Sequence, residues 1–213
     1  ANYCNVIGFA PSYGAISRYG VISMSNSLDR VGIMGNKVEE VSDLFNLISG
    51  RDDHDYTSLD LEKRDGVEEV DLTKTKIAYV KLKDEYEVDK DFKDHYEKAI
   101  ELLKDKGARI EEVSLDNLEY INGVYTIIMS VEAASNVARL DGIRYGETVL
   151  AYDDTNDLYM KNRTENFGEE VKRRIALGTY FASKEDNQKY YRQAMKLRNL
   201  LKKQMDEVHA KAI

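Results

Sequence analysis

An apolar run, Ile77 to Leu82, gives way to a charged stretch from about Asp89 to Lys106, and Gly107 closes it before a second short apolar run. This pattern restricts the fold more than any other part of the chain. Strand, helix, glycine, strand is how two parallel strands joined by a crossover helix are written. Phe92, Tyr96, Ala99 and Leu103 recur at helical spacing and are predicted to form the buried face of that helix. The expected class is therefore α/β.

Helical periodicity accounts for most of the remaining chain. Asn36 is a plausible N-cap for a short helix whose apolar positions are Val38, Val41, Leu44, Phe45 and Ile48, with Gly50 as its stop. A mostly apolar helix is predicted from about Leu118 to Leu140, a loop over Asp141 to Gly146, a helix from about Gly168 to Ala182, and a last helix from about Glu185 to Lys211. Residues 1–35 read as short strands and glycine-punctuated turns, and Arg51 to Lys74 as a long acidic surface excursion. The apolar run from Tyr120 to Leu140 is interrupted by Asn122, Glu132, Asn136 and Arg139, so a buried helix fits it better than a membrane span.

With 213 residues, 42% of them hydrophobic, the chain can bury one sizeable core. Its net charge of -8 argues against a surface that binds nucleic acid by bulk electrostatics, which needs a cationic face. One cysteine, Cys4, can form no internal disulfide, which suits a reducing compartment; we expect a cytoplasmic protein without membrane contact. Both ends, apolar at Val6 to Phe9 and at Ala212-Ile213, look like strand material whose neighbours lie elsewhere, and self-association through such edges is expected.

Signals for unaided catalysis are weak. Asp52-Asp53-His54-Asp55 invites a metal reading, yet a solvated loop explains it better, because paired ligands need a rigid scaffold. Ser25, Ser27 and Cys4 have no recognisable base beside them in sequence and read as small residues in β structure. More informative is the helix at Gly168 to Ala182. A rotation of about 100° per residue puts Val171, Arg174, Ile175 and Gly178 on one face and Arg173 nearly opposite. An inward guanidinium needs a carboxylate, either a substrate's or that of a structural ion pair such as one with Glu132. On the apolar helix, Tyr125, Met129, Glu132, Asn136 and Arg139 share one stripe, which faces solvent, a polar partner within the protein, or a wet cleft.

Three stretches carry a family resemblance. Tyr3 to Gly20, with Ser27-Leu28-Asp29, resembles the segment after the Gly-Gly-Ser motif of amidase-signature enzymes, and Asp52 to Ser58 resembles their Asp-Ser-Thr-Ser loop. Glu132 to Gly146 and Phe167 to Tyr180 resemble the glutaminase subunit of tRNA-dependent amidotransferases in particular. The resemblance implies part of the mixed-sheet amidase-signature fold, with 1–213 as an incomplete middle portion of that domain. It implies glutamine hydrolysis through an acyl-enzyme, with the lysine and two serines of that chemistry upstream of Ala1 and no catalytic residue within the chain. Tyr125 and Arg174 would hold the substrate glutamine, Arg174 by its α-carboxylate; no cofactor is implied. The partners implied are the other amidotransferase subunits, with tRNA met only indirectly. The chain departs from the family at Ala10 (typically Lys), Ile33 (Pro), Gly35 (Thr) and Glu185 to Gln188. A small-molecule amidase of the same family, or a non-enzymatic interaction module, is the alternative.

Overall fold

The computed structural model describes residues 1–63, 66–67, 69–81, 88–183 and 185–212. The chain divides into two compact units, one made of Ala1–Glu68 with Thr126–Tyr191 and the other of Glu69–Tyr125 with Arg192–Ile213.

In the first unit, β1 (Ile7–Phe9) pairs antiparallel with β2 (Ile33–Gly35), so that Phe9 lies opposite Ile33. Helix α1 (Val38–Ile48) packs its one buried residue, Val41, with Ile16 and Ile33 into a small core flanked by Val31 and Phe45. Phe9 meets Phe45 edge-on at 5.1 Å between ring centroids. The expected N-cap is one residue out. Lys37, extended and without a side-chain cap bond, precedes the helix, and Val38 and Leu44 are exposed.

The expected surface excursion after Arg51 begins instead as a tied loop. Leu59 donates its N–H to the Gly14 carbonyl at 2.8 Å, and Asp55 accepts from the Arg18 N–H at 2.9 Å. Buried Ser58 fastens the turn from inside, accepting from Asp52 N–H and donating to the Asp55 carbonyl. Periodicity missed this because the loop is held by side-chain bonds to backbone, which leave no apolar repeat.

Three α-helices come next in the described residues after the βαβ segment. The apolar segment is a continuous run of 3-10 turn (Leu118–Tyr120), α3 (Ile121–Asn136) and 3-10 turn (Val137–Arg139). Helix α5 (Glu169–Ala182) docks on α3 at Gly178, where a Cβ would overlap the Ser130 carbonyl and stand 2.7 Å from Ala134 Cβ. Only glycine permits that approach. Helix α4 (Thr155–Asn166) was not foreseen, since it buries only Leu158 and Asn162 and so lacks an amphipathic signature. Its start is nonetheless capped, Asp154 accepting from the Asp157 N–H at 2.9 Å. Asn162 then pins the 141–149 loop, donating to the Asp141 carbonyl and accepting from the Val149 N–H.

The second unit contains the βαβ pattern. β3 (Lys76–Val80) runs parallel to β4 (Arg109–Val113), with α2 (Lys90–Asp105) between them and Gly107 at φ +91° turning the chain after the helix. Leu82, the expected end of the first strand, lies outside the described residues. The expected buried face of α2 is only half present. Tyr96 and Leu103 are partly buried, whereas Phe92 and Ala99 are exposed and no residue of α2 is fully buried. Two strands offer a helix too narrow a surface to cover a whole face. The last helix, α6 (Tyr191–Ala212), starts later than expected because Asn187, Lys189 and Tyr190 close hydrogen-bonded turns first. Among the described residues, no helix is long and apolar enough to cross a membrane.

Candidate functional site

Helix α3 and the turn Ser23–Asp29 together make a seat for Arg174. The turn is held from within by Asp29, whose carboxylate accepts from Ser23 Oγ at 3.0 Å and from the Met24 and Ser25 N–H groups at 2.9 Å each. From outside it is held by Glu132, which accepts from Ser25 Oγ at 2.7 Å, Ser27 N–H at 2.9 Å and Ser27 Oγ at 2.7 Å. One turn further along α3, Asn136 donates to the Met24 carbonyl at 3.1 Å. The polar stripe on α3 is thus answered by a partner within the protein, at least over Glu132 and Asn136. Ser25 and Ser27 are its donors, a role more specific than small residues in β structure. Ser25 is 3% exposed and spends its hydroxyl proton on Glu132, which suits a clamp better than a nucleophile.

Against this fixed turn lies Arg174. Its side chain is 25% exposed and that of Arg173 56%, in keeping with the step of about 100° between them, which turns Arg173 away from the inward face. Gly178, one turn later, brings the two helices close enough for Arg174 to reach α3. The Nη1 atom stands 3.3 Å from Met129 Sδ and 3.6 Å from Met24 Sδ. Thioether sulfur is a weak acceptor, so these contacts locate the guanidinium without satisfying it. On its other edge, Nε donates to Glu170 Oε1 at 2.7 Å. The same carboxylate takes two bonds from Arg173, at 2.8 Å each. These bonds, Arg173 first and Arg174 second, hold Glu170 well below its usual range, at about 2. The ordinary alternative of an ion pair between Arg174 and Glu132 is therefore corrected. Glu132 is engaged by serines, and the structural partner of Arg174 is Glu170.

The arrangement orients Arg174 through Nε and leaves the Nη1 corner to a better acceptor than sulfur. A carboxylate suits it, because a guanidinium fork matches two oxygens at once. Tyr125 is placed on α3 one turn before Met129, is 51% exposed and is counted with the second unit. The cluster around Arg174 is made of first-unit residues. Among the described residues, no group of three or more His, Cys, Asp or Glu is placed to hold a metal ion. Asp52 to Asp55 form a hydrogen-bonded turn, with Asp52 accepting from Ser17 Oγ at 2.6 Å and Asp55 from Thr57 Oγ1 at 2.7 Å.

A family model described as Amidase matches residues 1–212. The chain belongs to the amidase family. Among curated relatives, this amidase chain is 43% identical over 210 residues to the A subunit of glutamyl-tRNA(Gln) amidotransferase from Clostridium novyi, covering 98% of the chain and 43% of the relative. It is 40% identical over 213 residues to the protein of the same name in Caldanaerobacter subterraneus, covering 99% of the chain and 44% of the relative. The amidase chain thus spans less than half the length of these relatives. Among solved structures it is similar to the A subunit of glutamyl-tRNA(Gln) amidotransferase from Thermotoga maritima, with a TM-score of 0.68 and 28% identity over 98% of this chain and 41% of that one. An amidase family protein of Bacillus anthracis, 21% identical with a TM-score of 0.65 over 97% of this chain and 41% of that one, shares the fold. The α/β class and the amidase-signature fold implied by the sequence both hold.

Sequence reasoning missed Met24 and Glu170 as neighbours of Arg174 in this amidase. Glu170 was within reach, since its spacing of four residues from Arg174 is that of a helical ion pair. Met24 carried no signal, because its place depends on a turn fixed by bonds to residues more than a hundred positions away.

Proposed function

We propose that this chain supplies the carboxylate-binding wall of an amidase cleft in the glutaminase component of a tRNA-dependent amidotransferase. The observation that carries this reading is Arg174, a mostly buried cation whose Nη1 meets only thioether sulfur among the described residues. In this reading Arg174 grips the α-carboxylate of glutamine and Tyr125 contacts the same substrate. The chain is the middle portion of the domain, and the serine and lysine chemistry that releases ammonia lies upstream of Ala1. Residues 1–213 alone then turn over no amide. Ammonia passes to a partner protein that amidates glutamate carried on tRNA(Gln), and this chain meets tRNA only through that partner. The protein works in the cytoplasm.

The test compares Arg174→Ala with Arg173→Ala in the full-length parent in complex with its partners, reading ammonia release from glutamine. Removing a charged, desolvated contact should cost about 2–5 kcal/mol of substrate interaction, whereas Arg173, exposed and paired with Glu170, should matter little. Equal effects of the two substitutions would remove Arg174 as the anchor. Ammonia release by the isolated chain, abolished by a substitution within it, would overturn the assignment of catalysis to other residues.

A further inference from the structure

The same two sulfur contacts carry a second consequence, which rests on the reading of Arg174 as the carboxylate anchor. We propose that Met24 is an oxidation site that switches off carboxylate binding. Its sulfur lies 3.6 Å from Arg174 Nη1 on a turn whose backbone is fixed by Asp29, Glu132 and Asn136. Met24 is partly exposed, whereas Met129, the other sulfur at Nη1, is 5% exposed. An oxidant arriving from solvent therefore reaches Met24 first.

The reaction needs only a peroxide. A sulfur lone pair attacks one oxygen of hydrogen peroxide, the O–O bond breaks as the sulfur–oxygen bond forms, and the second oxygen, leaving as hydroxide, takes the proton from the transferred hydroxyl and becomes water. Sulfur is oxidised to the sulfoxide and peroxide is reduced. The product replaces a weak acceptor with a strongly polar oxygen, on a side chain rooted in that fixed turn. That oxygen takes the guanidinium corner a substrate carboxylate requires. The thioether is a placeholder the substrate easily displaces, and the sulfoxide is a resident competitor. Reduction of the sulfoxide restores the placeholder.

Two other methionines serve as internal controls. Met34 and Met160 are each 69% exposed and are expected to oxidise readily, and neither is one of the two sulfurs placed at Arg174 Nη1. The experiment treats the parent enzyme, in complex with its partners, with hydrogen peroxide, follows each sulfoxide by peptide mass spectrometry, and measures KM and kcat for glutamine. The expected result is a KM that rises about tenfold or more in step with Met24 sulfoxide, a kcat changed less than about twofold, and recovery with methionine sulfoxide reductase. In Met24→Leu, whatever its starting KM, the ratio of treated to untreated KM should be about one. The proposal is overturned if Met24 stays reduced after Met34 and Met160 are converted, if KM is unchanged once Met24 is oxidised, or if Met24→Leu responds as the parent does. Arg174→Ala separates the two failures. If that substitution leaves KM for glutamine unchanged, both the anchor and the switch fall. If it raises KM while peroxide does not act through Met24, only the switch falls.

Discussion

Around the Ser23–Asp29 turn, two carboxylates and an amide fasten seven atoms of backbone and side chain, and the residues doing so come from two distant stretches. In the second unit, β3, α2 and β4 follow one another along the chain, yet α2 buries no residue completely, and the ion pairs Lys76–Glu111 and Lys81–Glu112 lie at the surface. The first region is held by specific satisfied polar groups and one close helix contact. The second is held by regular backbone pairing under a lightly buried helix. A site that must fix a cation to within a fraction of an ångström belongs in the first kind of region, since polar networks specify one arrangement more sharply than a thin apolar layer.

The contrast can be broken most forcefully at its glycines. Gly178→Val should destabilise the chain by about 3 kcal/mol, because the new side chain overlaps the Ser130 carbonyl and must part α5 from α3. Gly123, in α3 but with open space where its Cβ would be, is the counterpart. Gly123→Ala should add about 0.5–1 kcal/mol by raising helix propensity. Denaturant midpoints of the two variants decide the matter, and a harmless Gly178→Val would mean that α5 is not seated on α3.

Next in size is the carboxylate clamp. Glu132→Ala removes the acceptor that the buried Ser25 hydroxyl uses and two bonds from Ser27, at a cost of about 2–3 kcal/mol. Glu112→Ala, which removes an exposed bond from Tyr79 and a distant pair with Lys81, should cost under about 1 kcal/mol. Urea unfolding curves of both would reverse the comparison if Glu112 proved the costlier.

What was legible follows the same division. The βαβ unit could be read because each of its parts signals itself locally: an apolar run, a helical period, a glycine at positive φ. The inward phase of Arg174 could also be read, since helical geometry settles which face a residue takes. The clamp could not, because Glu132 and Ser25 are joined only after the chain has folded back across 107 positions. Helix α4 went unread for a different reason. It has one well-formed cap and only two buried residues, so its existence depends on Asp154 and on the loop that Asn162 holds. Asp154→Ala should accordingly cost about 1 kcal/mol, with faster amide exchange confined to α4 and the 141–149 loop. Exchange spreading to β3 and β4 would tell against that local role.

The smallest effect concerns acid, and it sharpens the comparison by sign. Asp55, Asp141 and Glu170, all in the first unit, are held at about 2 by the bonds they accept: from Thr57 and Arg18, from the Arg144 and Ile143 N–H groups, and from Arg173 and Arg174. Their ordinary values are 3.8 for the two aspartates and 4.5 for Glu170. A carboxylate whose folded pKa is depressed resists protonation that the unfolded chain accepts. Its contribution is complete above the unfolded value, declines as pH falls from about 4.5, and is gone below about 2. In the second unit Asp71 is lowered too, chiefly by Thr73, two positions away in the same exposed turn. Acid should therefore loosen the first unit ahead of the second, and hydrogen exchange at pH 7, 4 and 3 should show amides of α5 and the 141–149 loop losing protection before those of β3 and β4. Replacing Glu170 with Gln removes one of the three titrations, so the slope of stability against pH between 4.5 and 2 should flatten relative to the parent. Glu170 lies at the surface, where solvent and salt screen its partners, so the shift in slope is small and should shrink further in high salt. An unchanged slope in Glu170→Gln, or β3 and β4 opening first, would show that the bonds around Arg174 do not distinguish the first unit from the second.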